Sequence, residues 1–343
     1  MSKKLLVVLT VLVIGSVFLA ACGPAADGGE SVYVCQITDT GGIDDKSFNE
    51  TAWNGVQQAE EEFGIRSNYL ESEEVADYET NINAFIDEGC DLIITVGFLI
   101  ADATAEAAEA NPEQKFSIVD FAYDPTISNV VGQVFETDEA AFLAGYVAAD
   151  VSETGVVGTF GGLPIPTVTI FMDGFVAGVE QYNEDNGTDV QVIGWDPESE
   201  SGSFTNSFDD QQLGRETAVS MMDEGADIIM PVAGPVGLGA AAAIQERGNA
   251  YVIGVDSDWF LTSPEYSDII LTSVMKKMDA TTLAVIEDVI NDEFEGGTVV
   301  GTLENDGVAI APFHDLSNLI SDELQGRLDE LRQAIIDGDI VLE

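Results

Sequence analysis

Two pairs of segments repeat each other along this chain at one constant spacing. Residues 89–96 read GCDLIITV, and residues 225–232, which lie 136 positions later, read GADIIMPV. At the same spacing, residues 117–120 (SIVD) match residues 253–256 (IGVD). Because the repeat keeps its register over two separate apolar segments, it indicates two lobes built on one plan.

Each half of the chain alternates strand-length apolar runs with segments of helical periodicity, which is typical of a parallel sheet covered by helices. In the first half the predicted strands are residues 33–37, 67–71, 91–96, 115–119 and 130–134, and the predicted helices are residues 48–63, 78–88 and 101–111. In the second half the predicted strands are residues 156–160, 189–194, 227–232, 251–255 and 269–274, and the predicted helices are residues 170–183, 213–224 and 236–248.

This pattern predicts an α/β fold with two lobes. The first lobe is expected at residues 32–150, where residues 135–150 form a helix that passes between the halves, and the second lobe at residues 151–274. Residues 275–343 should add a crossing helix at 276–291, strands at 299–304 and 308–310 that form a hairpin or cross over, and a helix at 322–336.

Asp120 and Asp256 occupy equivalent positions in the repeat, and each ends an apolar strand. Ligands of open α/β sheets bind at this carboxyl edge, so two facing lobes would place both carboxylates in the cleft. Either residue alone could be a turn or cap residue, but their equivalence favours a role in binding. Such carboxylates accept hydrogen bonds from ribose hydroxyls and ring N–H groups, and in principle they could also hydrolyse a glycoside.

Residues 38–50 (TDTGGIDDKSFNE) join the first predicted strand to the first helix. Ser47 and Glu50 fit a capping box, which would start the helix near Phe48. An aromatic ring and the Asn49 amide beside two glycines suit the lip of a ligand pocket. The alternative is a loop in which Phe48 only packs against the helix.

Other residues could complete such a pocket. Gly234 opens an Ala-rich helix whose amides can meet a ligand oxygen, although the ending of a phosphate loop is absent. Lys276 begins the predicted helix 276–291, where its charge opposes the helix dipole, so it either binds a polar ligand beside Asp256 or pairs with surface acids. The aromatic residues that could stack on a flat ligand or pack in the core are Phe98, Phe171, Phe175, Phe204 and Phe208, and the core is favoured for Phe171 and Phe175.

The N-terminus is typical of an export signal. Two lysines precede an apolar run at residues 5–19, which ends in LAAC at residues 19–22. This ending resembles the lipobox of bacterial lipoproteins, so we expect residues 1–21 to be a signal peptide, Cys22 to carry lipid, and residues 22–31 to form a flexible tether. The alternative is an ordinary secretory signal with a chance cysteine.

Cysteine and histidine usage suggests neither a disulfide framework nor a metal site. Removing residues 1–21 leaves 322 residues with only Cys35 and Cys90 beyond Cys22. Both lie in or beside strand patterns, so they are interpreted as small buried apolar residues. His314 has no second histidine or cysteine nearby, which favours a structural role over zinc binding. No cofactor, nucleotide-binding fingerprint or Ser/His/Asp arrangement is predicted.

The chain has 63 acidic and 11 basic residues, for a net charge of −52. Nucleic acid is therefore not an expected partner. Disorder is disfavoured because 45% of the residues are hydrophobic. We hypothesise that the acidic surface is an adaptation to high salt.

Several motifs together resemble one family. They are residues 39–49 (DTGGIDDKSFN), 118–120 (IVD), 225–227 (GAD), 255–258 (VDSD), 273–276 (SVMK) and 311–313 (APF). Residues 31–340 thereby resemble the basic membrane protein family of ABC-transporter substrate-binding lipoproteins, whose best-understood members are PnrA-type purine nucleoside receptors. The strong acidity of this chain departs from the family's historical name.

The resemblance implies a ligand-binding set. Phe48 would stack on the purine, and the residues that would hydrogen-bond its edge are Asp39, Asn49 and Asp120. The residues that would hold the ribose are Gly234, Asp256 and Lys276. The loop at residues 199–210 is longer than the resemblance suggests, which leaves the second stacking aromatic open among Phe171, Phe175, Phe204 and Phe208.

The resemblance further implies a type I periplasmic-binding-protein fold that closes on its ligand and performs no chemistry. The protein would be a monomer held by lipid at the outer face of the cytoplasmic membrane, and it would deliver a nucleoside to a permease driven by an ATPase. Three alternatives are a ligand sensor, a binding protein for flavin or another small molecule, and, less favoured, a nucleoside hydrolase.

We predict that molar salt stabilises the folded protein, because screening weakens repulsion between surface carboxylates. Melting temperatures measured in dilute buffer and in molar KCl would check this. Equal stability in the two solutions would contradict adaptation to salt.

Overall fold

The computed structural model describes residues 31–342. The predicted signal peptide, Cys22 and all but the last residue of the predicted tether lie outside the described residues. Among those described, no helix has the length and apolar character needed to cross a membrane.

The predicted α/β fold with two lobes is confirmed. The first lobe is built on a parallel sheet with the strand order β13-β5-β4-β3-β1-β2. Its strands are β1 (Tyr33–Ile37), β2 (Arg66–Leu70), β3 (Leu92–Val96), β4 (Lys115–Val119), β5 (Val130–Phe135) and β13 (Gly297–Gly301). β1 and β3 are buried along their whole length, which agrees with their mainly apolar sequences. Their polar residues, Gln36 and Thr95, are buried as well.

The second lobe is built on a sheet with the strand order β14-β12-β11-β10-β6-β7, in which only the edge strand β14 is antiparallel. Its strands are β6 (Val156–Gly161), β7 (Gln191–Ile193), β10 (Ile228–Val232), β11 (Tyr251–Asp256), β12 (Ile270–Lys276) and β14 (Val308–Ile310). A small ribbon, β8 (Trp195–Asp196) and β9 (Ser201–Gly202), lies in the long loop before the next helix.

Helices cover both sheets. They are α1 (Phe48–Phe63), α2 (Asp77–Glu88), α3 (Ala101–Ala110), α4 (Thr137–Val151), α5 (Pro166–Asn186), α6 (Gln211–Asp223), α7 (Pro235–Arg247), α8 (Trp259–Thr262), α9 (Met278–Ile290) and α10 (Asp322–Ile336). The predicted bounds of α10 are confirmed. α5 begins four residues before its predicted start, because Pro166 occupies the first helical turn, where proline is well tolerated.

The described chain passes between the two sheets three times, after β5, after β12 and after β13. α4 follows β5 of the first sheet but packs on α5, and α9 follows β12 of the second sheet but packs on α1. All residues of α4 except Val151 fall within 32–150, yet the helix packs on the second lobe. The predicted limits of the two lobes stay predictions. Each of these two crossing helices therefore follows a strand of one lobe and packs on a helix of the other lobe.

Glycines allow both crossing helices to pack closely on their partner helices. A Cβ on Gly174 of α5 would lie 2.4 Å from the Asp138 carbonyl oxygen, and one on Gly55 of α1 would lie 2.4 Å from the Asp279 carbonyl oxygen. Any larger residue would force the helix pair apart. The hairpin alternative for the last strands is wrong, since β13 and β14 pair with different sheets.

Cys35 and Cys90 form a disulfide with a Cα–Cα distance of 6.1 Å. The interpretation of these residues as separate apolar side chains was therefore wrong. Cys35 lies in β1 and Cys90 just precedes the paired strand β3, so the fold brings them together. One disulfide needs only two cysteines that the fold brings together. The number of cysteines in a sequence does not show which of them become neighbours.

We predict that the double substitution Cys35→Ala/Cys90→Ala lowers the free energy of unfolding by about 2–4 kcal/mol, because the bridge closes a long loop in the unfolded chain. Denaturant unfolding with and without a reducing agent would measure the loss. Reductant should destabilise the parent protein and leave the variant unchanged; a parent insensitive to reductant would contradict the prediction.

Candidate functional site

A cavity lies between the lobes at the carboxyl ends of their strands. The structure brings together on its walls all seven residues that the sequence assigned to the ligand, namely Asp39, Phe48, Asn49, Asp120, Gly234, Asp256 and Lys276. The first four belong to the first lobe and the last three to the second, so a ligand in this cavity would contact both lobes.

The loop before α1 is organised by Asp45. Its buried carboxylate accepts hydrogen bonds from the backbone N–H groups of Ser47 (3.0 Å), Asn49 (2.8 Å) and Glu50 (3.1 Å). The predicted capping box of Ser47 and Glu50 is therefore wrong, because Asp45 already satisfies the amides at the helix start. The start of the helix at Phe48 is confirmed, and its ring lines the cavity.

Ser47 instead links the lobes. Its hydroxyl donates a hydrogen bond to Asp256 Oδ2 across the cleft at 2.8 Å. At the rim of the cleft, Lys46 Nζ lies 3.0 Å from Glu265 Oε1 of the second lobe. These contacts hold the loop before α1 against the second lobe.

The Asn49 side chain is bonded within its own lobe. Its Nδ2 donates to Asp39 Oδ1 (2.7 Å) and to Asp45 Oδ2 (3.0 Å), and its Oδ1 accepts from the Asp39 backbone N–H (3.2 Å). Asp39 Oδ1 also accepts from the Gly41 backbone N–H at 2.9 Å. Asn49 therefore fixes the position of the Asp39 carboxylate at the cavity.

Asp120 and Asp256 follow the symmetry of the repeat. Both have left-handed backbones, with φ of 64° and 68°, and each is 7% exposed. Asp and Asn tolerate this conformation better than other side chains with a Cβ. The equivalent turns place one buried carboxylate of each lobe at the cavity.

Lys276 lies between these carboxylates. It is 3% exposed, and its Nζ lies 2.5 Å from Asp120 Oδ2 and 3.9 Å from Asp256 Oδ1. The expectation that Lys276 begins a helix was wrong, because it ends β12 and α9 begins at Met278. The end of an inner strand is what carries its side chain into the cleft.

Burial raises the pKa of every carboxyl group in this cluster, because each loses contact with water. Asp45 is raised to about 7, despite the three backbone N–H groups that favour its ionised form. The pKa values of Asp120 and Asp256 are also raised by burial, and the Lys276 charge opposes the rise. For Asp39, burial again raises the pKa, and hydrogen bonds from Asn49 and Gly41 oppose it.

The aromatic candidates separate into two groups. Phe171 and Phe208 line the cavity, as does Phe98. Phe175 is fully buried in the core, and Phe204 packs edge-to-face on Trp195, so neither lines it. Lys276 Nζ lies over the rings of Phe48 and Phe171, at 5.2 Å and 4.9 Å from their centroids.

Other lining residues were missed from the sequence. Asp45 was not singled out, and Ile165, Thr167 and Val168 at the start of α5 also line the cavity. A proline at the first helical position would have placed that helix start correctly. His314 lies away from the cavity, where it pairs with Asp258 at 2.8 Å and stacks on Phe260. Residues 31–342 contain no cluster of side chains suited to a metal ion.

The chain matches known proteins over nearly its whole length. Residues 33–343 match the family model described as ABC transporter substrate-binding protein PnrA-like. The chain is 35% identical to basic membrane protein A of Borreliella burgdorferi, over 98% of this chain and 95% of that protein. It is 30% identical to the ABC transporter nucleoside-binding protein BmpA of Lactococcus lactis, over 100% of this chain and 99% of that protein.

A solved structure shows the same fold. The crystal structure of an ABC transporter system solute-binding protein from Aeropyrum pernix superimposes with a TM-score of 0.82 at 29% identity, over 91% of this chain and 94% of that chain. The family model and the relatives from Lactococcus lactis and Aeropyrum pernix are described as binding proteins of ABC transporters rather than as enzymes, as the sequence predicts.

We predict that Lys276→Met destabilises the protein at high pH and far less at low pH. Without the Lys276 charge, the folded-state pKa values of Asp120 and Asp256 rise further above their unfolded values. A carboxyl group with a raised folded pKa contributes stability at low pH and loses it as the pH rises through that pKa. The loss at pH 8 should be about 3 kcal/mol, the cost of breaking a buried ion pair.

Denaturant unfolding at pH 4, 6 and 8 would test this, with Lys277→Met as the control because the neighbouring Lys277 is only half-buried. A loss of stability that is the same at pH 4 and pH 8 would contradict the prediction.

Proposed function

Because the chain belongs to the family of PnrA-like ABC transporter substrate-binding proteins, we propose that it captures a purine nucleoside between its lobes and delivers it to a membrane permease. The permease would be driven by an ATPase subunit. A lipid at Cys22 would hold the protein, as a monomer, at the outer face of the cytoplasmic membrane.

The observation that supports this proposal is the division of the cavity between the lobes. The first lobe contributes the Phe48 ring and the carboxylates of Asp39 and Asp120, which suit a flat base with N–H donors. The second lobe contributes Asp256 and Lys276, which suit the hydroxyl groups of a ribose. The nucleoside-binding name of the Lactococcus lactis relative supports the same ligand class.

Closure of the lobes would couple binding to delivery. A ligand that contacts both lobes stabilises the closed arrangement by its differential affinity for that state. In the structure, Ser47 and Asp256 already meet across the cleft. A permease that recognises the closed form would thereby respond to loaded protein.

Two aromatic rings remain candidates for the second stacking face. Phe171 shares the Lys276 ammonium with Phe48, so both rings face one region of the cavity. Phe208 lines the cavity from the loop before α6, next to Gly234. One of the two should cover the base opposite Phe48.

A thermal-shift series in molar salt tests the function. The chain from Gly23 onward, which retains the compact unit Val32–Glu343, is mixed with guanosine, inosine, adenosine, cytidine, uridine, ribose or riboflavin. Purine nucleosides should raise the melting temperature, because they bind only the folded state. No shift with any nucleoside would overturn the proposal, and release of free base, seen by chromatography, would indicate a hydrolase.

We predict that Asp256→Asn weakens purine nucleoside binding by about 1–3 kcal/mol, because it removes one charged acceptor from the proposed ribose site. Asparagine is the suitable replacement, since the left-handed backbone at this position would strain alanine. Titration calorimetry would measure the affinity, with the exposed residue change Asp44→Asn as the control. Unchanged affinity would remove Asp256 from the site.

The same titration applied to Phe171→Leu and to Phe208→Leu identifies the second stacking ring. The variant that loses the larger share of affinity marks that ring, since stacking on a base contributes about 1–3 kcal/mol.

A further inference from the structure

We infer that the wall of the first lobe selects a purine whose ring edge carries adjacent N–H donors, so that this protein prefers guanosine to inosine and to adenosine. The inference rests on the proposed nucleoside-binding function and narrows it. It follows from which hydrogen-bonding atoms of the wall are already engaged within the protein.

Asn49 contributes no free donor to the wall. Both hydrogens of its Nδ2 are used, one by Asp39 Oδ1 and the other by Asp45 Oδ2. Its Oδ1 accepts one hydrogen bond from the Asp39 backbone and keeps a second lone pair. Toward the cavity, this amide can therefore act only as an acceptor.

Two carboxylate oxygens of the wall keep their full accepting capacity. Asp39 Oδ1 is occupied by Asn49 and Gly41, but Asp39 Oδ2 receives no hydrogen bond from residues 31–342. Asp120 Oδ2 is occupied by Lys276, and across the same described range no donor reaches Asp120 Oδ1. Both side chains line the cavity, so these two oxygens are the acceptors that a ligand would meet.

Lys276 belongs to the residues assigned to the ribose rather than to the base. Its ammonium donates a hydrogen bond to Asp120 Oδ2 and lies 3.9 Å from Asp256 Oδ1, so it joins carboxylates of the two lobes. With the carboxyl groups of Asp39 and Asp120 ionised, the side chains assigned to the base edge, Asp39, Asn49 and Asp120, present only acceptors.

The purines differ in what they offer to such a wall. Guanine presents a ring N1–H and a 2-amino group side by side, which are adjacent donors. Hypoxanthine keeps only the N1–H donor. Adenine presents its 6-amino group beside a ring nitrogen that is itself an acceptor, and an acceptor facing a buried carboxylate loses a hydrogen bond and leaves that oxygen unpaired.

Titration calorimetry in molar salt with four ribosides tests the inference on the unmodified chain from Gly23 onward. Guanosine and inosine differ by the 2-amino group, and 2,6-diaminopurine riboside and adenosine differ by the same group. The added 2-amino group should strengthen binding about tenfold or more in both pairs, as expected for a hydrogen bond to a charged group. Guanosine should bind most tightly of the four.

The substitution Asp39→Asn tests the origin of the preference. Because Asp39 Oδ1 is held by two N–H donors, the new amide should keep its oxygen there and turn its NH₂ toward the cavity. A donor would then replace the free acceptor, and the ratio of guanosine to adenosine affinity should fall about tenfold or more. The matched control is Asp44→Asn, a neighbouring exposed acid that does not line this cavity.

The outcomes separate this inference from the proposed function. Tight binding of guanosine and adenosine with equal affinity would overturn the preference for purines with adjacent N–H donors and leave the nucleoside-binding function intact. Failure of all four ribosides to bind would overturn the function itself. Should Asp39→Asn not fold, the two matched riboside pairs on the unmodified chain still decide the inference.

Discussion

The contact between the two lobes depends on one ammonium group placed among buried carboxylates. Lys276 ends an inner strand of the second lobe and contacts Asp120 of the first. A buried ion pair gains little net stability, because removing both charges from water is costly. Its role is better understood as specificity: the charges are satisfied when the lobes meet in this one register, and the Ser47–Asp256 hydrogen bond fixes the same register from the opposite lobe.

The internal repeat explains how a cleft of this kind arises. Asp120 and Asp256 are equivalent, because each has a left-handed backbone at the corresponding edge of its own sheet. Duplicating one lobe and facing it with its copy therefore produces two carboxylates across a cleft. The two carboxylates then have different surroundings, because Lys276 Nζ lies much closer to Asp120 than to Asp256. Under the proposed function, this asymmetry lets one lobe suit a base and the other a ribose.

The sequence was informative where a feature repeats or follows a period. The repeat located Asp120 and Asp256. The spacing of Ser47 and Glu50 placed the start of α1 correctly at Phe48, although the capping box itself does not form. It was less informative where several partners compete for the same atoms. Ser47 fits a capping box by spacing, but the Asp45 carboxylate reaches the same amides first, and Ser47 is left to bond the second lobe. The disulfide and the position of Lys276 likewise depend on which strands become neighbours, which spacing does not encode.

Close packing of the crossing helices α4 and α9 on α5 and α1 restricts how the lobes can move. At Gly55 and Gly174 the partner backbones approach so closely that no Cβ fits. Interfaces of this density do not slide continuously. Opening of the cleft must therefore concentrate in the three short connections between the sheets, after β5, β12 and β13. The second of these directly follows Lys276, so rotation there would withdraw the ammonium from Asp120 as the lobes part. The connection and the charge that joins the lobes therefore belong to one stretch of chain.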